Sequence, residues 1–213
     1  MPDTIESNRP QRRLPVGAEV QPAGGVHFRV WAPASRRVAV RMGEKEDLAN
    51  AAEITLASEA DGYWSGFVQT ARAGMHYRYA LASGAFPDTA SRFQPSGPHG
   101  ASQIIDPTSF ECSDEEWRGV RSEGQVIYEL HIGTFTREGT WAAATARLPH
   151  LAELGVTLLE VMPVADFPGR FGWGYDGVNF FAPKYLYAES DDFRRFVNRA
   201  HALGLGVILD VVS

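Results

Sequence analysis

VTLLEVMPVADFPGRFGWGYDGVNFFAPKYLYAESDDFRRFVNRAHALG, residues 156–204, is the stretch on which the fold turns. Its first seven residues, 156–162, are a continuous apolar run of strand length, while Phe193, Phe196, Val197, Ala200 and Leu203 recur at helical spacing from Asp191 onward. A strand is therefore joined to a helix by about 26 residues, 163–188, where such connections usually need ~2 to 6. Excess length of that kind accompanies a binding task or disorder. Trp173, Tyr175, Phe180, Phe181, Tyr185 and Tyr187 argue against disorder. FGWGYDGVNFFAP, residues 171–183, is thus the expected functional surface.

Working outward, VIYELHI at 126–132 reads as a preceding buried strand and LGVILDVV at 205–212 as a following one. Between the first two strands a helix is expected from Trp141, with Thr140 as N-cap, Leu148, Leu151 and Leu154 on or near one face, and Gly155 just past its end. Pro149 should remove one backbone hydrogen bond and kink or divide that helix. Ser190 is the expected N-cap of the next helix, which Gly204 ends. The order βαβαβ with nearly all-apolar strands predicts a parallel sheet covered on both faces, with right-handed crossovers. Both helix-to-strand connections are a glycine and little more. Both strand-to-helix connections are longer and hold Thr134, Phe135, Trp173, Tyr175 and Asp176, on the side where (β/α) barrels keep their active sites. About 88 residues with three strands, 126–213, fall well short of the ~250 of a whole eight-stranded barrel.

Earlier in the chain the period changes from helical to alternating. Val26, Phe28 and Val30, then Val38, Val40 and Met42, then Tyr77, Tyr79 and Leu81 alternate with other residues, and residues 54–56 and 63–68 add two further short strands. Residues 14–85 are therefore expected to form an antiparallel β-sandwich, immunoglobulin-like in architecture. Residues 1–13 read as a flexible lead-in, and residues 86–125, opening with the aperiodic FPDTASRFQPSGPHGASQIID, as an inter-domain linker.

Composition restricts the partners. The 213 residues are 44% hydrophobic and 22% charged, with a net charge of -6, which offers no basic surface for a phosphate backbone. No nucleic-acid partner is expected, and no membrane either, since no run approaches ~18 apolar residues. One cysteine, Cys112, and an N-terminus without an apolar core point to a cytoplasmic placement. The six histidines show no metal-ligand spacing, so no metal is expected.

YELHIGTFTREGTW (128–141), RLPHLAELGVTLLEVMPVADFPGRFGWGYDGVNFFAP (147–183) and LGLGVILDVV (203–212) resemble the α-amylase superfamily, glycoside hydrolase family 13, which implies that residues 126–213 form the first βαβαβ of an incomplete (β/α)8 TIM barrel. The resemblance extends to FRVWAP (28–33), DGYWSGFV (61–68) and FPDTASRFQPSGPHGASQIIDP (86–107), which look like that family's N-terminal carbohydrate-binding-module-like sandwich and the segment joining it to the barrel. Thr89 and Ala188 depart from the family pattern, in loops. By this resemblance Tyr175 stacks on a glucose unit, with Asp176 beside it and Trp173 as a further substrate-binding residue. Asp210, opening the pattern Asp-x-Val-x-Asn-His, supports the site. The implied substrate is an α-glucan or maltooligosyltrehalose. The implied reaction is hydrolysis of the α-1,4 bond next to a terminal trehalose, without a cofactor, and branching or debranching activity is the alternative. A retaining mechanism needs two carboxyl groups ~5 to 5.5 Å apart. The resemblance places both on later strands, so no catalytic residue is expected in this chain and the piece alone is expected to be inactive.

Three rival readings come from the residues themselves. Trp173, Phe180 and Phe181 could fill space under the long loop. Glu129, Glu160 and Asp210 fall late in their strands as an acidic group that alternation could split, and His131 is expected to be structural at the barrel mouth. Gly172-Trp-Gly174-Tyr-Asp-Gly177 matches the dinucleotide-binding G-x-G-x-x-G, but Pro163 to Phe171 separate it from the strand and Pro183 from the helix. A non-catalytic carbohydrate-binding protein is the remaining alternative.

Overall fold

The computed structural model describes residues 12–212, so the lead-in at 1–11 and Ser213 lie outside the described residues. The last two residues of the expected lead-in are tied down. The Arg12 guanidinium donates to the carbonyls of Leu14, Gly17 and His27 at 3.0, 3.0 and 2.8 Å, and Arg13 pairs with buried Glu19 at 3.3 Å. Two units follow, residues up to 89 with 101–106, and residues 90–100 with those from 107 onward.

In the first unit the strands are β1 (Gly17–Val20), β2 (Val26–Trp31), β3 (Ala39–Gly43), β4 (Glu53–Thr55), β5 (Ala57–Ser58), β6 (Tyr63–Val68), β7 (His76–Leu81), β8 (Gly84–Phe86) and β9 (Ser102–Gln103). They form two antiparallel sheets, β1-β2-β6-β5 and β4-β3-β7-β8, with β9 also on β7. Val26, Phe28 and Val68 from one sheet and Val40, Tyr77 and Tyr79 from the other share one core with Ile104. Each such side chain contributes about 1.5–3 kcal/mol by leaving water. The Tyr77 ring meets Phe28 edge-on at 5.3 Å, and its hydroxyl donates to buried Asp88 at 2.7 Å. The sandwich extends past its expected end. Strands β8 and β9 pair in turn along β7, which takes part of the expected linker into the first unit, whereas residues 90–100 belong to the second. Strands of two or three residues are too short to show alternation.

The second unit continues with β10 (Ile127–Leu130), α1 (Ile132–Phe135), α2 (Trp141–Glu153), β11 (Leu158–Val161), β12 (Ala165–Asp166), β13 (Asn179–Pro183), α3 (Ser190–Ala202) and β14 (Gly206–Leu209). Strands β10, β11 and β14 form a parallel sheet in that order. All three are shorter than expected, and Ile132 opens the turn α1 instead of ending a strand. The Thr140 hydroxyl caps α2 by accepting from the Ala143 amide at 3.3 Å. Helix α2 continues through Pro149, so the proline does not divide it. Leu154 falls one residue past the helix and is 66% exposed, off the apolar face. Helix α3 is capped by Glu189 and Asp192 in a reciprocal capping box, one residue earlier than the expected Ser190.

Coverage of this sheet is one-sided. Leu130, Leu159, Val161 and Val207 pack with Trp141, Leu148 and Leu151 of α2 and Phe196 and Ala200 of α3. The opposite face carries Ile127 and Glu129, Leu158 and Glu160, and Gly206 and Ile208, paired strand to strand in register. No described helix covers that face; Val120 lies against Gly206 there, while Ile127 and Ile208 are exposed, so the expected two-sided cover is largely missing among the described residues. Parallel crossovers of one hand, through α2 and α3, put both helices on the same side, the first step of a barrel rather than of an open doubly wound sheet. No described helix is long and apolar enough to cross a membrane.

Candidate functional site

Three consecutive strand ends converge. Strand β10 ends at Leu130 and leads into His131, β11 leads into the 163–188 connection, and β14 leads into Asp210, whose amide bonds the Val161 carbonyl at 2.9 Å. The connection is a folded hairpin, with β12 and β13 paired antiparallel and a 3-10 turn at Tyr185–Tyr187. At its root Lys184 is 0% exposed. Its ammonium donates to the carbonyls of Phe167 and Gly169 at 2.5 and 2.8 Å, lies 3.4 Å from the Asp166 carboxylate, and sits over the Phe167 ring at 4.2 Å. Burial pushes the Asp166 carboxyl up to about 6, against the pull of Lys184. Sequence reasoning missed this pair, because a lone lysine after a proline carries no signal of burial.

The glycines of the hairpin permit close approach. Gly174 has φ 91, and a Cβ there would lie 2.0 Å from the Pro163 carbonyl oxygen; one at Gly177 would lie 2.9 Å from the Ala165 Cβ. They seat the rim on its root, and the next helix, α3, opens only at Ser190, so the dinucleotide reading of G-x-G-x-x-G is overturned.

On this base the aromatic rim faces outward. Trp173 is 73% and Tyr175 44% exposed, and Phe180 and Phe181 are exposed too, so the reading of Trp173, Phe180 and Phe181 as space-filling is corrected. The Tyr175 hydroxyl donates to Asp210 Oδ2 at 2.7 Å. That bond, with the nearby charges of Asp210, Glu129 and Glu160, raises the Tyr175 pKa. Glu129 and Glu160 stand directly opposite each other on the uncovered sheet face, so alternation does not split them. Asp176 is exposed beside Tyr175. A cavity of about 270 Å³ lies among Pro163, Ala165, Gly174, Phe180 and Asp210, near the lower end of ligand-site volumes. A larger hollow of about 490 Å³ between Arg41, Asp47 and Arg78 has no aromatic lining and belongs to the first unit. Among the described residues no group of His, Cys, Asp or Glu is placed to hold a metal ion.

An aromatic plate beside carboxylates, at the carboxyl ends of parallel strands, can bind the apolar face and the hydroxyl rim of a sugar together. Residues 15–107 match Carbohydrate-binding module 48 (Isoamylase N-terminal domain), and residues 92–213 match Alpha amylase, catalytic domain. The chain belongs to the α-amylase family of glycoside hydrolases. It is 46% identical, over 88% of its length, to the malto-oligosyltrehalose trehalohydrolase of Saccharolobus solfataricus, and 35% identical over 91% to a 1,4-alpha-glucan branching enzyme of Xanthomonas axonopodis. A crystal structure of a Salmonella typhimurium protein assigned to the alpha amylases superposes with TM-score 0.86 at 43% identity, covering 92% of this chain and 33% of that one. This chain spans 32% of the Saccharolobus enzyme and 29% of the branching enzyme.

Proposed function

We propose that this chain is the part of a trehalose-releasing glycoside hydrolase that holds a glucose unit beside the bond to be cut. The substrate is maltooligosyltrehalose, and the bond is the α-1,4 link next to its terminal trehalose. Tyr175 stacks on the glucose ring, Trp173 extends the aromatic platform, Asp176 meets hydroxyls at its edge, and Asp210 fixes the Tyr175 hydroxyl. The observation that carries this reading is the 2.7 Å bond between Tyr175 and Asp210, with the tyrosine ring left accessible. A stack so anchored loses little freedom when sugar arrives. The reacting carboxyl groups are assigned to no residue of this chain. Glu129 and Glu160 are read as supports of the same face. The single cysteine, Cys112, supports a cytoplasmic setting.

The identity to trehalohydrolases supports trehalose release over branching. A hybrid in which this chain replaces the matching third of the Saccharolobus enzyme tests the choice. Trehalose released from maltooligosyltrehalose is the expected product. Transfer of glucan chains without trehalose would replace this reading with the branching one.

A further inference from the structure

We propose that His131 is a positioning residue for the Tyr175 site, acting through the Gly172 carbonyl; the inference rests on the proposed reading of Tyr175 as the sugar-stacking residue. His131 stands at the end of β10, and its Nε2 lies 3.0 Å from the carbonyl oxygen of Gly172 in the neighbouring hairpin. A carbonyl can only accept, so Nε2 carries a proton and donates it. The same N–H also reaches the Tyr187 hydroxyl oxygen at 3.0 Å, while Nδ1 faces the Thr134 hydroxyl at 3.3 Å. Tyr187 is itself fixed. It is buried, its hydroxyl is pushed up to about 12 by that burial, and its ring stands edge-on to both His131 and Trp141. Gly133 leaves room for the imidazole, since a Cβ there would lie 2.9 Å from His131 Cε1 and 3.0 Å from the Tyr187 ring.

The consequence falls on the rim. Gly172 is pinned by His131, Gly174 is wedged against Pro163, and Trp173 projects outward between them. Tyr175 follows directly and is held at its far end by Asp210. Without the His131 bond, Gly172 keeps its packing against the Phe167 ring and Gly174 its approach to Pro163, but the Gly172 carbonyl loses its imidazole donor. The imidazole therefore selects the backbone path that presents both rings, without touching sugar.

The test uses the 213-residue chain, with nitrogen-15 NMR of the histidine rings and titration with maltohexaose. In the wild type His131 is expected as the Nε2-protonated form with a hydrogen-bonded proton. His131→Leu is expected to shift the ring signals of Trp173 and Tyr175 and to weaken maltohexaose binding roughly three- to tenfold, the range of one ordinary hydrogen bond. His131→Gln, which keeps a donor, should restore both readouts. Gly133→Ala, which displaces the imidazole, should act as His131→Leu does. An Nδ1-protonated His131, or rim signals and affinity unchanged in His131→Leu, would overturn the inference. So would a loss in thermal stability alone, or one that His131→Gln does not repair. If the wild type fails to bind maltohexaose, the sugar-site reading falls, while the tautomer and rim signals still decide whether His131 positions the rim.

Discussion

At the root of the 163–188 connection Asp166, Phe167, Asn179, Ala182 and Lys184 are buried, whereas at its rim Phe171, Trp173, Tyr175 and Phe180 are exposed. The usual distribution is inverted within one hairpin, with a charged pair inside and aromatic rings outside. The difference teaches a division of labour. Carbonyls and carboxylate around a buried ammonium give the root a directional framework, and that framework allows the rim to keep its apolar rings in water. On the proposed reading, the rings left uncovered in this way are the binding surface.

The largest expected effect breaks the root. Lys184→Met leaves Asp166 buried without its cation and should destabilise the second unit by about 3–5 kcal/mol in urea denaturation. Replacing both partners, with Asp166→Leu added, should recover most of that loss. A single variant as stable as the wild type would show that the ammonium does not hold the root.

Next comes the pH dependence of the same pair. The Asp166 carboxyl is raised from 3.8 to about 6, so the folded state holds its proton more tightly than the unfolded chain does. Its contribution to stability is therefore full below about pH 4 and lost as the pH rises through 6. Against Asp166→Asn, the wild type should lose on the order of 1–3 kcal/mol across that window, measured as unfolding free energy at a series of pH values. A difference that stays flat would mean that Lys184 offsets the burial fully.

Where root meets rim, Gly174 and Gly169 sharpen the comparison. Both have positive φ, 91 and 85, but a Cβ at Gly169 meets open space. Gly169→Ala should cost about 1–2 kcal/mol for conformation alone. Gly174→Ala should cost more and weaken sugar binding as well, because it forces the rim off Pro163. Equal costs at the two positions would remove the close approach from the account.

Much of the architecture was legible because periodicity reports burial directly. Alternation at Tyr77 and Tyr79, and the apolar runs before and after the connection, located the sandwich and the three parallel strands. Features set by distant partners were not legible. Strands β8 and β9 exist because β7 offers them an edge, Leu154 is exposed because α2 ends before it, and Lys184 is buried because Asp166 and two carbonyls meet it from the other arm of the hairpin. The two-sided cover failed for a related reason. Apolar strand composition does not say on which side of the sheet the helices return. In the site, Tyr175 and Asp210 were singled out by the family resemblance. Their bond spans neighbouring strand ends and depends on the parallel register of β11 and β14.

The central claim is that Tyr175, anchored by Asp210, receives a glucose ring. Calorimetric titration of the 213-residue chain with maltohexaose, wild type against Tyr175→Ala, tests it most directly. Loss of one aromatic stack should weaken binding by about 0.5–1.5 kcal/mol, a factor of roughly 2 to 12, with the fold unchanged. An affinity identical in the two proteins would contradict the account.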